Sequence, residues 1–252
     1  MTGQPSPYLI EKILPSGRIH LLAGISSAGK TRWILPTLLL WQTGAPVLGL
    51  RSFPEPWGMV CGDRPLIDAH DSLRTMNFSP EAVPIIPCFG KYNKPLGTVL
   101  REIEKAGWKL IFWEGFDMFV RNPNNPSEVR ELLSTVGACC EELGWTVLGT
   151  VGVPKLKPSE TYLNPRQLVG GTTLWERATS TNFIIQPTNP RNVGDGSRML
   201  HVCLKNAPSF AVTGCFDHNG ALIFNSWDHR LEDEELQKLL TDLKKRPKSA
   251  EE

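Results

Sequence analysis

The feature that most constrains this chain is a glycine-rich segment close to its first residues. Gly24-Ile25-Ser26-Ser27-Ala28-Gly29-Lys30-Thr31 follows an apolar run, Ile19 to Ala23, and precedes an apolar segment of helix length. It matches the pattern G-x-x-x-x-G-K-T, in which backbone N–H groups and a helix dipole surround a polyphosphate. The alternative is a glycine-rich turn with a solvated lysine. The strand before the segment and the helix after it favour the phosphate-binding loop (P-loop).

Each residue type of this loop has a physical role in holding a nucleotide. Gly24 and Gly29 permit backbone angles and close approaches that a Cβ would obstruct. Lys30 reaches the β and γ phosphates, and the Thr31 hydroxyl binds Mg²⁺. We therefore expect ATP and Mg²⁺ as cofactors, bound by the set Gly24, Ser26, Ser27, Ala28, Gly29, Lys30, Thr31 and Arg32.

Apolar segments of strand length alternate with segments of helix length through residue 186. This alternation predicts βαβ units and a parallel sheet. The predicted strands cover 19–23, 57–62, 83–88, 109–113, 145–151 and 182–186, and the predicted helices cover 30–42, 66–76, 96–106 and 127–143.

After residue 186 the spacing of the apolar segments changes. Residues 198–204, 209–215 and 221–224 are strand-like and separated by short turns, which predicts an antiparallel meander that continues the sheet. A charged helix follows at roughly 231–245. We predict one α/β domain over residues 1–228, with a charged helix and tail at 229–252.

Composition and charge limit the classes of function. The apolar share of 40% is ordinary for a folded protein, and 27 Lys and Arg residues nearly balance 26 Asp and Glu residues. Without a broad basic field, nucleic acid must be held by a local patch or through assembly. No apolar run reaches membrane-spanning length and no signal-peptide pattern is visible, so we expect a cytoplasmic protein without membrane contact.

The cysteines and tryptophans favour structural roles. None of the six cysteines forms a C-x-x-C pair, which favours buried, reduced thiols over a zinc site. Trp113 and Trp145 lie in predicted strands and are expected in the core. Trp175 follows a glycine pair and is expected on a helix that packs at a subunit interface.

Two acidic residues stand where predicted strands end. Glu114 ends the apolar run Leu110 to Trp113 and is the candidate Mg²⁺ ligand beside Thr31; the alternative is an exposed strand-end acid. Asp63 follows the strand 57–62, and the carboxyl ends of parallel strands border the crevice in which ligands bind. The alternative for Asp63 is a cap of the next helix.

The order of these parts resembles a RecA-like ATPase core over about residues 15–225. It is most similar to the branch that contains plasmid RepA-type and DnaB-type hexameric helicases. The resemblance implies a RecA-like P-loop NTPase fold, with a mainly parallel sheet flanked by helices and a C-terminal antiparallel β-meander. It also implies that Glu114 is the Walker B acid, that Asp63 orients the attacking water, and that Thr150 is the polar sensor.

The resemblance extends to residues that act between subunits. Lys205, in Cys203-Leu204-Lys205-Asn206-Ala207, matches a basic finger that reaches the γ-phosphate of a neighbouring subunit and is counted with Lys30, Asp63 and Glu114 among the catalytic candidates. Gly170 and Ala207 stand at the arginine positions of the family. Slow hydrolysis or ATP-gated binding without turnover therefore stays open.

The segment between Val153 and Gly171 matches the loop that faces the central channel of RecA-like rings and holds single-stranded DNA. Lysine and arginine side chains neutralise phosphates there, and an aromatic ring stacks on a base. The alternative is a mobile, solvated loop. The predicted DNA contacts are Arg121, Lys155, Lys157, Tyr162 and Arg166.

Three functions follow from these expectations. The first is a homo-oligomeric ATPase, a hexameric ring by resemblance, that acts on single-stranded DNA as a helicase or translocase of a replication or mobile-element system. The second is an ATP-switched DNA-binding, loading or recombination-mediator protein with weak turnover. The third, a small-molecule kinase, needs an arginine-rich lid, and neither 121–127 nor 152–170 supplies one.

Overall fold

A nine-stranded β-sheet organises the part of the chain that this computed structural model describes, namely residues 6–25, 28–152, 173–188, 196–205, 207–226, 228 and 230–231. A separate two-stranded hairpin precedes it. The strands are β1 (Tyr8–Ile10), β2 (Leu14–Pro15), β3 (Ile19–Gly24), β4 (Trp57–Cys61), β5 (Ile85–Pro87), β6 (Leu110–Glu114), β7 (Thr146–Val151), β8 (Thr181–Pro187), β9 (Ser197–Leu204), β10 (Phe210–Phe216) and β11 (Leu222–Phe224). The helices are α1 (Lys30–Trp41), α2 (Leu66–Thr75), α3 (Leu96–Ala106), α4 (Pro126–Leu143) and α5 (Leu174–Ala178).

The order of strands in the sheet is β11-β10-β9-β8-β3-β7-β6-β4-β5. The six strands from β8 to β5 pair in parallel, whereas β9, β10 and β11 pair antiparallel at one side. One strand, β7, separates β3 from β6. The carboxyl ends of β3, β4 and β6 therefore lie at one edge of the sheet, which positions the P-loop and both predicted acids together. The predicted parallel sheet and the meander are confirmed.

Helices cover both faces of the central strands, so these strands read as continuous apolar runs. In β6, Leu110 and Phe112 pack on one side, and Ile111 and Trp113 pack on the other. The first side is covered by α1 and α2, and the second by α3, α4 and α5. Trp113 and Trp145 are buried in the core, as expected.

The hairpin of β1 and β2 was not predicted from the sequence. Its strands have three and two residues and no Asn-Gly or Asp-Gly turn, so they lack the usual hairpin signals. The hairpin packs on α1, where Trp41 Nε1 donates to the Leu9 carbonyl at 3.2 Å. Ile13, between the two strands, is fully buried.

Two expectations about single side chains are wrong. Trp175 is fully buried inside its own chain, with its ring 5.8 Å from that of Phe116, and therefore offers no surface to a neighbouring subunit. Cys215 is exposed and Cys139 is half-buried, whereas Cys61, Cys88, Cys140 and Cys203 are buried as expected. Over the ranges described, no helix combines the length and apolar character needed to cross a membrane. The predicted helix at 231–245 lies almost wholly outside those ranges.

Candidate nucleotide-binding site

The P-loop leads from β3 directly into α1. Gly29 precedes the helix with a φ of 99°, and a Cβ built on it would lie 2.9 Å from atoms of both Phe216 and Leu222. Glycine is therefore required both by the positive φ and by the lack of space for a Cβ. Among the described residues, no side chain caps the first turn of α1, and its N–H groups remain available to an anion. Ser26 and Ser27 lie outside the described residues.

Lys30 is held against the loop rather than standing free in solvent. Its Nζ donates to the carbonyl of Gly24 at 2.7 Å and to that of Ile25 at 3.3 Å. Burial lowers the pKa of Lys30, and the negative charges of Asp63, Asp117 and Glu114 partly restore it. The alternative of a solvated lysine is therefore wrong: Lys30 is a half-buried cation, close to three acids, beside the turn at Gly29.

Glu114 meets Thr31 at the carboxyl end of β6. The Thr31 hydroxyl donates to Glu114 Oε1, and the carboxylate is buried with 3% of the residue exposed. The alternative of an exposed strand-end acid is therefore wrong. A hydroxyl and a carboxylate are hard oxygen ligands of the kind that Mg²⁺ prefers, so these two residues fit the predicted metal site.

Asp63 lies beside Glu114 because two glycines let their strand ends approach. Gly62 N donates to the Glu114 carbonyl at 2.9 Å, and a Cβ on Gly115 would come within 2.7 Å of the Asp63 Cβ. The cap position of α2 is Pro65, and no side-chain cap is present there among the described residues, so Asp63 is not a helix cap. The pKa of Asp63 is raised, first by partial removal of the carboxyl from water and then by the charge of Glu114.

Thr150, the predicted sensor, connects β7 to the end of β6. Its hydroxyl accepts a hydrogen bond from Gly115 N at 2.7 Å, and the residue is buried. This bond continues the pairing of β6 with β7 beyond Trp113 and Gly149, and it fixes the turn that follows Glu114.

Arg64 is a functional candidate that the sequence interpretation passed over. Its Nε donates to Glu114 Oε2 at 2.8 Å, and its Nη1 donates to the Ser72 hydroxyl at 2.7 Å. The available signal was its position directly after Asp63, at a strand end that borders the crevice. An arginine therefore lies beside the P-loop in the same chain.

Asp117 is a second acid that was passed over. It follows β6 in a short 3₁₀ turn, and its Oδ2 accepts a hydrogen bond from Gly152 N at 2.8 Å. Burial raises the pKa of this carboxyl, and Lys30 opposes the shift.

Two arginines, Arg32 and Arg198, lie near the ring of Phe216 and line the cleft beside the P-loop. Arg198, 4% exposed, donates from Nε to the Ala28 carbonyl at 3.2 Å, and its guanidinium lies 5.0 Å from the Phe216 ring centre. Arg32 lies 5.9 Å from the same ring centre. Arg198 was missed because it comes from β9; its signal was a charge near the start of an otherwise apolar strand.

These side chains enclose one open cleft of about 530 Å³. It brings together the predicted Lys30, Thr31, Asp63, Glu114 and Thr150, although these come from four separate strand ends. The cleft is lined by Ala28, Gly29, Lys30, Thr31, Arg32, Asp63, Arg64, Ser72, Glu114, Thr150, Arg198 and Phe216.

The remaining candidates lie elsewhere. Lys205 follows β9, whose last residue pairs with the first residue of β8, at the opposite edge of the sheet from the P-loop. Its Nζ donates to the Arg177 carbonyl at 3.1 Å. Arg121 is exposed beyond β6, and its backbone N donates to Glu128 Oε2 at 2.9 Å. The predicted DNA contacts Lys155, Lys157, Tyr162 and Arg166 lie outside the described residues.

Comparisons with known proteins place the fold. No protein-family model matches the chain, and no curated protein matches its sequence. A solved KaiC-like protein of the hyperthermophilic archaeon Pyrococcus horikoshii is similar in structure, with a TM-score of 0.58 and 15% identity. The match covers 86% of this chain and 93% of that one. The chain therefore has a RecA-like P-loop fold, as predicted. The narrower likeness to RepA-type and DnaB-type helicases stays a prediction.

Proposed function

We propose that this protein binds ATP with Mg²⁺ and hydrolyses it. The observation that carries the proposal is the hydrogen bond from the Thr31 hydroxyl to the Glu114 carboxylate. Both residues line the cleft that Lys30 also lines. A P-loop hydroxyl and a strand-end carboxylate are the pair that holds Mg²⁺ in P-loop NTPases.

The cleft residues have separate roles in phosphoryl transfer. Lys30 exchanges the loop carbonyls for β and γ phosphate oxygens, which satisfy its charge better than neutral acceptors do. Bound Mg²⁺ supplies further stabilisation of the developing charge. Asp63, which lines the cleft beside Glu114, orients the attacking water and accepts its proton.

A direct test is equilibrium binding of labelled ATP, followed by measurement of phosphate release, for the parent chain and for Lys30→Ala. Binding and release by the parent, with loss of binding in the variant, support the proposal. A parent chain that binds ATP no better than Lys30→Ala contradicts it.

For the wider function we propose a ring of subunits that acts on single-stranded DNA as a helicase or translocase. Two features support it. The formal charge of +1 gives one subunit no broad basic field, so several subunits would have to combine their DNA contacts. Lys205 lies at the end of the sheet opposite its own P-loop, so a role for it at a γ-phosphate would require the nucleotide of a neighbouring subunit.

The alternative is an ATP-switched binding, loading or recombination-mediator protein with weak turnover. The hydrogen bond from Lys205 to the Arg177 carbonyl favours it, because this cation is engaged within its own chain. Steady-state ATPase measurements with and without single-stranded DNA discriminate the two. A large stimulation by DNA favours the translocase, and tight ATP-dependent DNA binding without stimulation favours the switch.

A further inference from the structure

Arg64 occupies a position in the cleft that an ordinary surface ion pair does not explain. Its Nε donates to the same Glu114 carboxylate that accepts a hydrogen bond from the Thr31 hydroxyl, so the guanidinium directly contacts one of the two expected Mg²⁺ ligands. Only 21% of its side chain is exposed, compared with 54% for Arg74 in its surface pair with Asp71.

The guanidinium is held in place from the side of α2. Nη1 donates to the Ser72 hydroxyl at 2.7 Å, and that hydroxyl donates in turn to the Asp68 carbonyl at 2.9 Å. A planar group fixed by two of its nitrogens cannot rotate freely, so the direction of its third nitrogen is set by the protein.

That third nitrogen, Nη2, has no hydrogen-bond partner within the described residues, although it is buried. A buried donor without an acceptor costs free energy and calls for an explanation. Phosphate oxygens bind guanidinium groups through paired N–H donors. The cleft that Arg64 lines is the one in which Lys30 and Thr31 are expected to hold the γ-phosphate.

We propose that Arg64 contacts the γ-phosphate of the nucleotide bound by its own subunit and stabilises the transition state in cis. The inference rests on the proposed ATPase function. Arginines supplied in cis stabilise the transferred phosphoryl group in other P-loop enzymes. The RecA-like ATPases that this chain resembles have arginines at the positions of Gly170 and Ala207. Arg64 would supply the positive charge that these two residues lack.

In this step Arg64 shares its donors between Glu114 and the phosphoryl oxygens. The oxygen of water bonds to the γ-phosphorus while the bond to the bridging oxygen breaks, and ADP leaves with that electron pair. The water proton passes to Asp63, and the products are ADP, phosphate and a proton. Arg64 exchanges no proton, because its guanidinium stays charged throughout.

The competing role for Arg64 is to position Glu114 for Mg²⁺, and Arg64→Lys separates the two. The lysine keeps a positive charge beside Glu114 but has no planar fork of donors. The full chain, Arg64→Lys and the surface control Arg74→Ala are compared in three measurements. These are the ATP dissociation constant across a Mg²⁺ titration, the single-turnover rate, and retention of labelled ADP with Mg²⁺ and aluminium fluoride.

We expect Arg64→Lys to bind ATP within about 3-fold of the parent with the same Mg²⁺ requirement, but to turn over at least about 100-fold more slowly and to lose retention of ADP with aluminium fluoride. Arg74→Ala should match the parent in all three measurements. Turnover of Arg64→Lys within about 3-fold of the parent overturns the inference, and so does a raised Mg²⁺ requirement with intact ADP retention. If the parent itself releases no phosphate, the proposed function has failed and the inference falls with it.

Discussion

The hydroxyl of Thr31 donates a hydrogen bond to Oε1 of Glu114, across a sequence separation of 83 residues. This contact joins the first turn of α1 to the end of β6, although β7 lies between β3 and β6 in the sheet. Two hard oxygen ligands are therefore in place side by side, and Mg²⁺ binding requires no large movement of the backbone.

The contact of Thr31 with Glu114 predicts a change in Mg²⁺ dependence. Glu114→Gln should raise the Mg²⁺ concentration for half-maximal ATP binding by about 10-fold or more, because an amide replaces a charged ligand and leaves Arg64 without its counter-charge. Nucleotide binding measured over a Mg²⁺ series checks this. Glu102→Gln, which removes an acid that pairs with Lys94 outside the cleft, is the control. An unchanged Mg²⁺ requirement would remove Glu114 from the metal site.

Lys30 allows a prediction about affinity that does not depend on turnover. Lys30→Ala should weaken ATP binding by about 10- to 100-fold, the cost of charge-assisted hydrogen bonds to phosphate. The loss of two bonds to loop carbonyls should leave the fold intact, which thermal unfolding monitors. Lys105→Ala, on the exposed side of α3, is the matched control. Equal affinity in Lys30→Ala and Lys105→Ala would be inconsistent with the P-loop interpretation.

Asp63 and Glu114 were predictable because they stand at strand ends, and Lys30 was predictable because it belongs to the P-loop pattern. A parallel sheet places the carboxyl ends of its strands at one edge, so an apolar run followed by an acid, as at Glu114 and Asp63, already specifies a place in the crevice. The fold was predictable for the same reason: strands buried on both faces give continuous apolar runs separated by amphipathic helices.

The cationic side chains of the cleft were not predictable in the same way. Arg198 reaches the Ala28 carbonyl across 170 residues, and only the antiparallel pairing of β9 with β8 brings it there. Arg64 follows Asp63, but nothing in the sequence shows that its guanidinium turns inward to Glu114 and Ser72 rather than outward to solvent. Tertiary contacts determine these directions, and a single sequence does not encode them in a local pattern.

Asp63 should separate nucleotide binding from turnover. Asp63→Asn is expected to keep ATP bound while hydrolysis falls by about 100-fold or more, because the amide no longer accepts a proton from water. The raised pKa of Asp63 adds a pH signature. As pH is lowered, the acid protonates at a higher pH than an ordinary aspartate does, so kcat/KM should begin to fall nearer neutrality.

The pH profile and the variant check the same residue independently. The acid limb of kcat/KM should disappear from the residual activity of Asp63→Asn. If Asp63→Asn turns over as fast as the parent, Asp63 has no part in the reaction. The half-buried Asp117, beside Lys30, would then be the next acid to substitute.

Ser72 should act through Arg64 and not on the nucleotide itself. Ser72→Ala removes the nearer acceptor of Nη1 and leaves it only the Asp68 carbonyl at 3.5 Å, so the guanidinium is held less firmly. We expect the single-turnover rate to fall by about 3- to 10-fold with little change in ATP affinity. In the Arg64→Lys background the same substitution should have a much smaller effect, because coupled residues are not additive. Equal effects in both backgrounds would separate Ser72 from Arg64.

The last prediction concerns assembly and follows from the position of Lys205. This residue lies at the end of the sheet opposite its own cleft. Its Nζ can therefore contact a γ-phosphate only if that nucleotide is bound by another subunit. Heterologous contacts that close generate rings. We therefore expect an oligomer that forms with an ATP analogue and single-stranded DNA, detected by light scattering at micromolar concentration.

Two measurements on this oligomer test how the subunits cooperate. Its DNA affinity should fall steeply with salt, because phosphate contacts from several subunits add. Lys205→Ala subunits, which keep the whole P-loop and should still bind ATP, are mixed with parent subunits at increasing ratios. If Lys205 acts on a neighbour, hydrolysis should fall faster than the parent fraction does. Since Arg64 is proposed to act within its own subunit, Arg64→Lys subunits should lower activity only in proportion to their share. A proportional loss with Lys205→Ala, or a chain that stays monomeric with both ligands, would contradict the ring and favour the ATP-switched binding protein.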